Sequence, residues 1–245
     1  KQNLVDKVWL NKPKSLVKPF FLISPKNAGA TVTQKIRQVK SILSKNKVDY
    51  LLVTAPENVA WILNIRGHDS YYSPVPNARL LISKSGDISI FANPKKFTKI
   101  KKIKVFTHDE KELEKILSQL SSKKIWLDSF SCSFYYKSLF MGKNKIIEKI
   151  DPIYFFKSIK NNTEIQNMKK SHLIDGVALT KFLFWLKKNF KKKKITEISA
   201  QKKLESFRKI HPTYKYPSFN TISGSGPNSA IIHYKASSKT KRALK

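Results

Sequence analysis

The stretch YLLVTAPENVAWILN, residues 50–64, places a short apolar run directly before a short helix. The run Tyr50–Val53 is apolar throughout, which is typical of a buried strand. The helix predicted over Glu57–Asn64 presents apolar side chains and is expected to close at Gly67. This strand followed by a helix predicts a domain in which the two kinds of element are layered.

Further elements on both sides of this stretch continue the alternation. They are a helix over 33–46 capped by Thr33, strands over 80–82, 88–91, 103–106 and 125–127, and helices over 110–120 and 133–140. The turn at Ser85–Asp87 predicts that the first two of these strands, 80–82 and 88–91, form a hairpin. Helices that alternate with strands indicate a layered α/β domain.

The pattern changes after Pro152. Residues 163–190 form the longest helical repeat, with Thr163 as the expected N-cap, and a second helix is predicted over 196–210. Residues 1–32 are predicted to be an irregular linker, because prolines interrupt them and apolar residues come singly or in pairs. We therefore expect three parts: a linker from an absent upstream domain over 1–32, a domain over 33–152, and a partial domain over 153–245.

The chain is strongly basic, with 49 Lys and Arg against 16 Asp and Glu and a net charge of +33. Only five of these cations are Arg, the better residue for bidentate recognition of phosphates and base edges. The lysines are spread along the chain except for the run Lys191–Lys194. We interpret the charge as a compositional bias carried on solvated faces, so no specific nucleic-acid partner is expected. Binding to polyanions remains a less favoured alternative.

Several locations and classes of site are disfavoured by composition. No apolar run approaches the roughly 20 residues of a membrane span, and no signal peptide is visible. The single cysteine, Cys132, excludes an internal disulfide framework and a metal site built from several cysteines. These features predict a cytoplasmic location and no membrane partner.

The densest chemical signal is FNTISGSGPNSAIIHY, residues 219–234. A loop rich in Gly, Ser, Pro and Asn leads into a predicted apolar strand that carries His233. Taken alone, a single histidine on such a strand is more often a packed core residue than a functional one, so both interpretations stay open here.

In order and spacing, several segments together resemble the Xaa-Pro aminopeptidases (aminopeptidase P) of the creatinase and prolidase superfamily, above all the three-domain cytosolic type. The segments are residues 3–9, 60–67, 124–128, 151–153, 196–200, 221–222, 226–228 and 230–234. The resemblance implies a creatinase-type N-terminal domain, a mixed sheet flanked by helices, followed by the truncated start of an α+β pita-bread catalytic domain.

The same resemblance implies a function. Such enzymes remove the N-terminal residue from peptides with proline in second position, use two divalent metal ions, usually manganese, and form homodimers. His233 matches a catalytic histidine that faces the substrate, and Phe219 matches an aromatic position of the substrate pocket. The family's five metal ligands would all follow Lys245, so no metal ligand is expected here. We expect an internal fragment that is inactive by itself; the alternative is a non-enzymatic creatinase-like binding module.

The remaining titratable residues are expected to have structural roles. Solvated or helix-capping roles are predicted for Asp69, Asp128, Asp151 and Glu197. Surface positions are predicted for His68, His108 and His211. His172 is expected to pack on the apolar face of the long helix, and Cys132 to be buried and inert among aromatic residues.

Overall fold

The computed structural model describes residues 4–13, 17–100, 103–192 and 194–245. Residues 1–3 and 14–16 of the predicted linker and Lys193 of the lysine run therefore lie outside the described residues. The chain divides into two compact units, residues 1–160 and 161–245. The predicted domain boundaries, after residues 32 and 152, stay predictions.

The first unit is built on one six-stranded mixed sheet. Its strands are β2 (Tyr50–Val53), β4 (Arg79–Ser83), β5 (Ile88–Phe91), β6 (Phe106–His108), β7 (Lys124–Leu127) and β8 (Lys145–Glu148), in the order β6-β5-β4-β2-β7-β8. The central strand β2 pairs antiparallel with β4 and parallel with β7. Two short strands, β1 (Phe21–Leu22) and β3 (Ile65–Arg66), form a separate antiparallel pair.

Seven helices accompany these strands in the described part of the first unit. They are α1 (Leu4–Val8), α2 (Pro25–Ala28), α3 (Val32–Lys45), α4 (Pro56–Leu63), α5 (Glu112–Gln119), α6 (Phe134–Ser138) and α7 (Pro152–Ser158). Alternate residues of β2 serve two apolar clusters. Leu51 and Val53 join the cluster with α3 and α4, whereas Leu52 joins the cluster with α5. Since both faces of the sheet are covered at its centre, the central strand β2 is apolar at each position.

The helix ends differ in detail from the prediction. Thr31, not Thr33, caps α3 in a reciprocal capping box with Gln34. Helix α4 ends at Leu63, and its C-cap residue Asn64 has a φ of 51°, in the left-handed region that asparagine tolerates. Gly67, predicted to end this helix, is needed for space instead, because a Cβ there would lie 2.8 Å from Pro76 Cα.

Other elements correct the sequence-based expectations. The strand predicted over 103–106 lies at Phe106–His108, and strand β8 and helix α7 were not predicted. The irregular segment expected over 1–32 is wrong where α1, β1 and α2 form. Phe20 is fully buried in the core beside β1, and Pro25 occupies the first turn of α2, where a missing N–H costs nothing.

The described part of the second unit contains two α-helices and a long C-terminal loop. Helix α8 (Asn162–Asn189) begins with a capping box between Asn161 and Glu164, so the predicted cap Thr163 is wrong by two positions. Helix α9 (Glu197–Arg208) is capped by Thr196, and a short 3-10 helix covers Gly226–Ala230. Within the described residues, none of the helices has both the length and the apolar character needed to cross a membrane.

Candidate functional site

The loop that carries His233 is tied to one buried carboxylate, that of Glu197. This residue is fully buried at the start of α9. Its Oε1 accepts from the backbone N–H of Ser225 at 2.7 Å and from Asn228 Nδ2 at 3.0 Å. Its Oε2 accepts from the Tyr234 hydroxyl and from the backbone N–H of Arg242, each at 2.9 Å. One side chain therefore accepts hydrogen bonds from four residues of the loop.

The electrostatics of Glu197 follow from this arrangement. Burial works to raise the pKa of Glu197, but hydrogen bonds from Arg242, Asn228, Ser225 and Tyr234 outweigh it and lower the pKa overall. A carboxylate that accepts several N–H groups favours its charged form, and the position in the first turn of a helix adds to this preference. The negative charge is thus stable inside the unit.

Backbone contacts fix Glu197 against the end of the chain. The Thr196 side chain accepts from the backbone N–H of Ser199 in a capping box, which sets the first turn of α9. The backbone N–H of Glu197 donates to Arg242 O at 3.1 Å, and that of Leu244 donates to Ile195 O at 2.8 Å. These bonds form a short antiparallel bridge, so helix start and chain end hold each other.

His233 lies on the exposed part of this loop. The predicted apolar strand is wrong: Gly226–Ala230 form a 3-10 helix, and Ile232 is 87% exposed. Pro227, at the start of that 3-10 helix, has no N–H to give a strand. His233 is itself exposed and has a φ of 55°, in the left-handed region that a residue with a Cβ rarely adopts.

Phe219 occupies a different part of the second unit. It is 64% exposed and lines a groove of about 420 Å³ together with Tyr214, Tyr216 and Ile222. His233 does not line this groove. The structure therefore does not bring the two predicted site residues together around one cavity, and their functional roles stay predictions.

A second buried polar cluster lies in the first unit, around Asp151. Its Oδ1 accepts from the backbone N–H of Ile153 at 2.9 Å, and its Oδ2 accepts from Asn58 Nδ2 at 2.8 Å. Asp128 Oδ2 accepts from the backbone N–H of Asp151 at 2.9 Å, and Lys157 Nζ donates to Asn58 Oδ1 at 2.9 Å. The capping role predicted for Asp151 is confirmed.

The solvated alternative is wrong for three of the four acids weighed, since Asp128, Asp151 and Glu197 are buried. Burial, together with the nearby Asp128, raises the pKa of Asp151 to about 6, although Ile153, Asn58 and Lys157 act in the opposite direction. The cluster joins β7, α4 and α7 and has the character of a structural network.

The other singled-out residues have plain surroundings. His172 is exposed, so the expected packed position is wrong; its Nδ1 lies 2.9 Å from Met168 O on the same helix. Cys132 is buried as predicted, and burial raises the pKa of its thiol to about 11. His68 and His108 are half-buried and pack against Phe21 and Phe91. Their rings thus fill space rather than standing on the surface as expected.

The same side chains do not form a metal centre. In the part of the chain that the structure describes, no three His, Cys, Asp or Glu side chains come close enough to hold a metal ion together. Glu197, the most completely buried acid of the second unit, is surrounded by hydrogen-bond donors and has no other carboxylate among its partners. These residues do not fit a resident metal pair.

Two sequence families match the chain in succession. Residues 11–164 match the Creatinase/Prolidase N-terminal domain, and residues 166–245 match Metallopeptidase family M24. The first match covers more than half of the chain, and the mixed sheet with helices on both faces agrees with it. The chain therefore belongs to the creatinase/prolidase family, and the predicted fold class, an α/β N-terminal domain followed by the start of an M24 domain, is confirmed.

Relatives within this family narrow the comparison. The chain is 33% identical to Xaa-Pro aminopeptidase ApepP of Drosophila melanogaster, across 99% of this chain and 41% of that protein. It is 34% identical to the probable Xaa-Pro aminopeptidase P of Sordaria macrospora, across 96% of this chain and 41% of that protein. The chain thus spans about two fifths of the length of these curated relatives.

A solved structure gives the same result. The X-prolyl aminopeptidase of Caenorhabditis elegans, described as a cytosolic enzyme with a di-nuclear active site, superposes with a TM-score of 0.90 at 27% identity. The match covers 99% of this chain and 42% of that protein. The predicted resemblance to Xaa-Pro aminopeptidases is confirmed.

Sequence reasoning missed the structural centre of this site. The sequence predicts a solvated or capping role for Glu197 because no other acid lies near it at metal-ligand spacing, whereas its partners in the structure lie 28 to 45 positions away. The one sequence feature that could have indicated a structural role is the position of Glu197 directly after the helix cap Thr196, with a loop rich in Gly and Asn downstream of the helix. Nothing in the sequence alone shows that the loop folds back onto it.

Proposed function

We propose that this chain is part of a metal-dependent aminopeptidase that removes the N-terminal residue from peptides with proline in second position. The observation that carries the proposal is the succession of a Creatinase/Prolidase N-terminal domain and an M24 segment in one chain. Relatives with the Xaa-Pro aminopeptidase name align over 96% or more of its length. The aligned part includes the loop of residues 219–234.

His233 is the catalytic residue of this proposal, and it also contacts the substrate. Its imidazole is exposed on a loop, where a peptide can reach it. An imidazole can donate a hydrogen bond to the oxygen of a tetrahedral intermediate, or carry a proton to the leaving amine, because its two ring nitrogens can act as donor and acceptor. Phe219 is the aromatic substrate contact, and its exposed ring on the edge of a groove supports this role.

The active protein contains two divalent metal ions, for which manganese is the candidate. The di-nuclear site of the Caenorhabditis elegans relative supports the pair. Such ions supply a nucleophilic hydroxide and polarise the carbonyl when bound. The residues described here do not provide their ligands, so what this chain supplies is His233 and the loop around it. The protein is a homodimer in the cytoplasm; the cytosolic relative supports the location.

The test is an assay of the complete reading frame that contains this chain. The purified protein, stripped of metal and then given Mn²⁺, is offered a tripeptide with proline in second position and a matched peptide with alanine there. Cleavage of the proline peptide alone, dependent on the added metal, is the expected result. His233→Ala is expected to lower kcat roughly a hundredfold or more, the scale of a lost acid–base or oxyanion-stabilising group.

His172→Ala is the matched control, because this second exposed histidine of the unit makes only a local contact along α8. Its kcat should equal that of the unmodified protein. A metal-loaded protein that cleaves neither peptide would contradict the proposal and favour a non-enzymatic creatinase-like binding module. Equal cleavage of both peptides would contradict the proline specificity.

A further inference from the structure

The contacts of Glu197 reach both sides of His233. Ser225 and Asn228 precede the histidine, and Tyr234 and Arg242 follow it; all four donate to the same carboxylate at 2.7 to 3.0 Å. Asn228 and Tyr234 are nearly fully buried, at 8% and 7% exposure, whereas His233 between them is exposed. The loop is thus fixed at its base and presents one side chain outward.

The backbone at His233 needs this support. A φ of 55° is unfavourable for a residue with a Cβ and persists only when the surrounding structure holds it. The next residue, Tyr234, provides the hold, because its hydroxyl lies 2.9 Å from Glu197 Oε2 and 3.1 Å from Thr240 O. The backbone next to the imidazole is therefore tied to the position of the Tyr234 hydroxyl, which also accepts from Asn228 Nδ2 at 2.8 Å.

We infer that Glu197 is a positioning residue, which fixes the loop of residues 225–242 and through Tyr234 sets the backbone conformation of His233. The inference rests on the proposed function, since a fixed imidazole matters for catalysis only if His233 acts on the substrate. Glu197 does not itself touch the substrate; it acts through the loop.

The chemistry of the partners requires a carboxylate at this position. The backbone N–H groups of Ser225 and Arg242 can only donate, and they point at opposite oxygens, Oε1 and Oε2. A glutamine has the same shape, but its amide NH₂ replaces one of the two acceptors. In either orientation one backbone N–H therefore faces a donor, so Glu197→Gln releases at least one point of the loop.

The first test measures amide hydrogen exchange by NMR in the 245-residue chain. In Glu197→Gln, the amide of Ser225 or of Arg242 should exchange roughly ten- to a hundredfold faster, the range for losing a hydrogen bond to a charged group. The Cα and Cβ shifts of His233 should leave the values of the left-handed region. Amides in the middle of α8 should be unchanged, which shows that the unit remains folded.

Two further variants sharpen this test. Glu205→Gln removes the same charge from the same helix at a half-buried side chain bonded to Lys209 and Tyr214, and should leave the loop amides unchanged. Tyr234→Phe removes only the hydroxyl, so the His233 shifts should change while the Ser225 amide stays protected. This milder variant decides the matter if Glu197→Gln does not fold. Unaltered loop exchange and His233 shifts in both variants would overturn the inference.

The second test uses the complete reading frame and the proline peptide. Glu197→Gln should lower kcat with little change in KM, and the double variant with His233→Ala should be no slower than His233→Ala alone. Additive losses would overturn the inference, because Glu197 would then act independently of the histidine. If His233→Ala is fully active, the proposed function fails instead, while the exchange experiment still reports whether Glu197 holds the loop.

Discussion

Replacing Asp151 by asparagine is expected to remove one contribution to the pH dependence of the free energy of unfolding of the first unit. Asp151 caps α7 and is 1% exposed, with Asn58 and the backbone N–H of Ile153 as donors to its carboxylate. Asparagine is also a good N-cap residue, so the helix start is retained. The substitution removes the acceptor for Asn58, which lowers the free energy of unfolding by the same amount at every pH. It also removes a buried negative charge, and this second effect is present only at pH values at which Asp151 is ionised.

The size of the effect follows from the pKa of Asp151, which burial raises from the ordinary 3.8 to about 6. Below pH 3.8 the carboxyl of Asp151 is protonated in both folded and unfolded chains, so Asp151 adds no pH dependence to the free energy of unfolding. Between pH 3.8 and 6 the unfolded chain releases the proton and the folded chain keeps it, so the free energy of unfolding falls as the pH rises. About 2 pKa units at 1.36 kcal/mol each give a loss of about 3 kcal/mol above pH 6.

The assay is urea unfolding at pH 4, 5, 6 and 7. Unfolding is monitored by the NMR signal of the Trp126 indole N–H, which donates to Lys149 O within the same unit. Relative to the unmodified chain, Asp151→Asn should gain about 3 kcal/mol between pH 4 and 7. Asp87→Asn, which removes an exposed carboxylate from the β4–β5 turn, should show no comparable gain. A difference between Asp151→Asn and the unmodified chain that stays flat across this range would refute the reasoning.

Three further predictions concern Lys35, Gly67 and Cys132. Lys35→Ala removes the donor to Trp61 O and Asn64 Oδ1, at 2.7 and 2.6 Å, and should lower the free energy of unfolding by about 2 kcal/mol in a urea titration. Lys45→Ala, at an exposed position of the same helix, should leave it unchanged. Gly67→Ala should lower the thermal midpoint, because its Cβ would lie 2.8 Å from the backbone at Val75 and Pro76; Gly176→Ala, with open space inside α8, should raise stability by up to about 1 kcal/mol. The thiol of Cys132, with its pKa raised by burial to about 11, should resist iodoacetamide at pH 8 in the folded chain and react in urea; fast labelling without urea would contradict its burial.

The sheet and its helices were largely predictable because their signals are local. Tyr50–Val53 is apolar at each position, and the structure covers both faces of that strand. The hairpin of β4 and β5 was predicted from its turn. Strand β8 was not predicted because only two apolar residues lie between Lys145 and Glu148, which is too short a run to indicate a strand. Its pairing with β7 determines its conformation. The local pattern of apolar residues does not determine which distant segments pair as strands.

The loop around His233 was less predictable for a related reason. Its apolar residues, Ile231 and Ile232, gave the pattern of a buried strand, yet both are exposed. The loop donates hydrogen bonds to one carboxylate on α9, that of Glu197, which lies 28 or more positions away in the sequence. The identity of the candidate residue came from the family resemblance, whereas its backbone geometry and its support came only from the structure.

The position of β2 at the centre of the sheet has a consequence for biosynthesis. Its antiparallel partner β4 and the hairpin with β5 are complete by Phe91, so three strands can assemble while the rest of the unit is still being translated. Strand β7 then joins the free side of β2 in parallel, which must close a loop of about 70 residues, and β8 pairs with β7. Until that closure, one side of β2 has unpaired backbone groups, and the nascent chain is then most exposed to misassembly and to capture by chaperones.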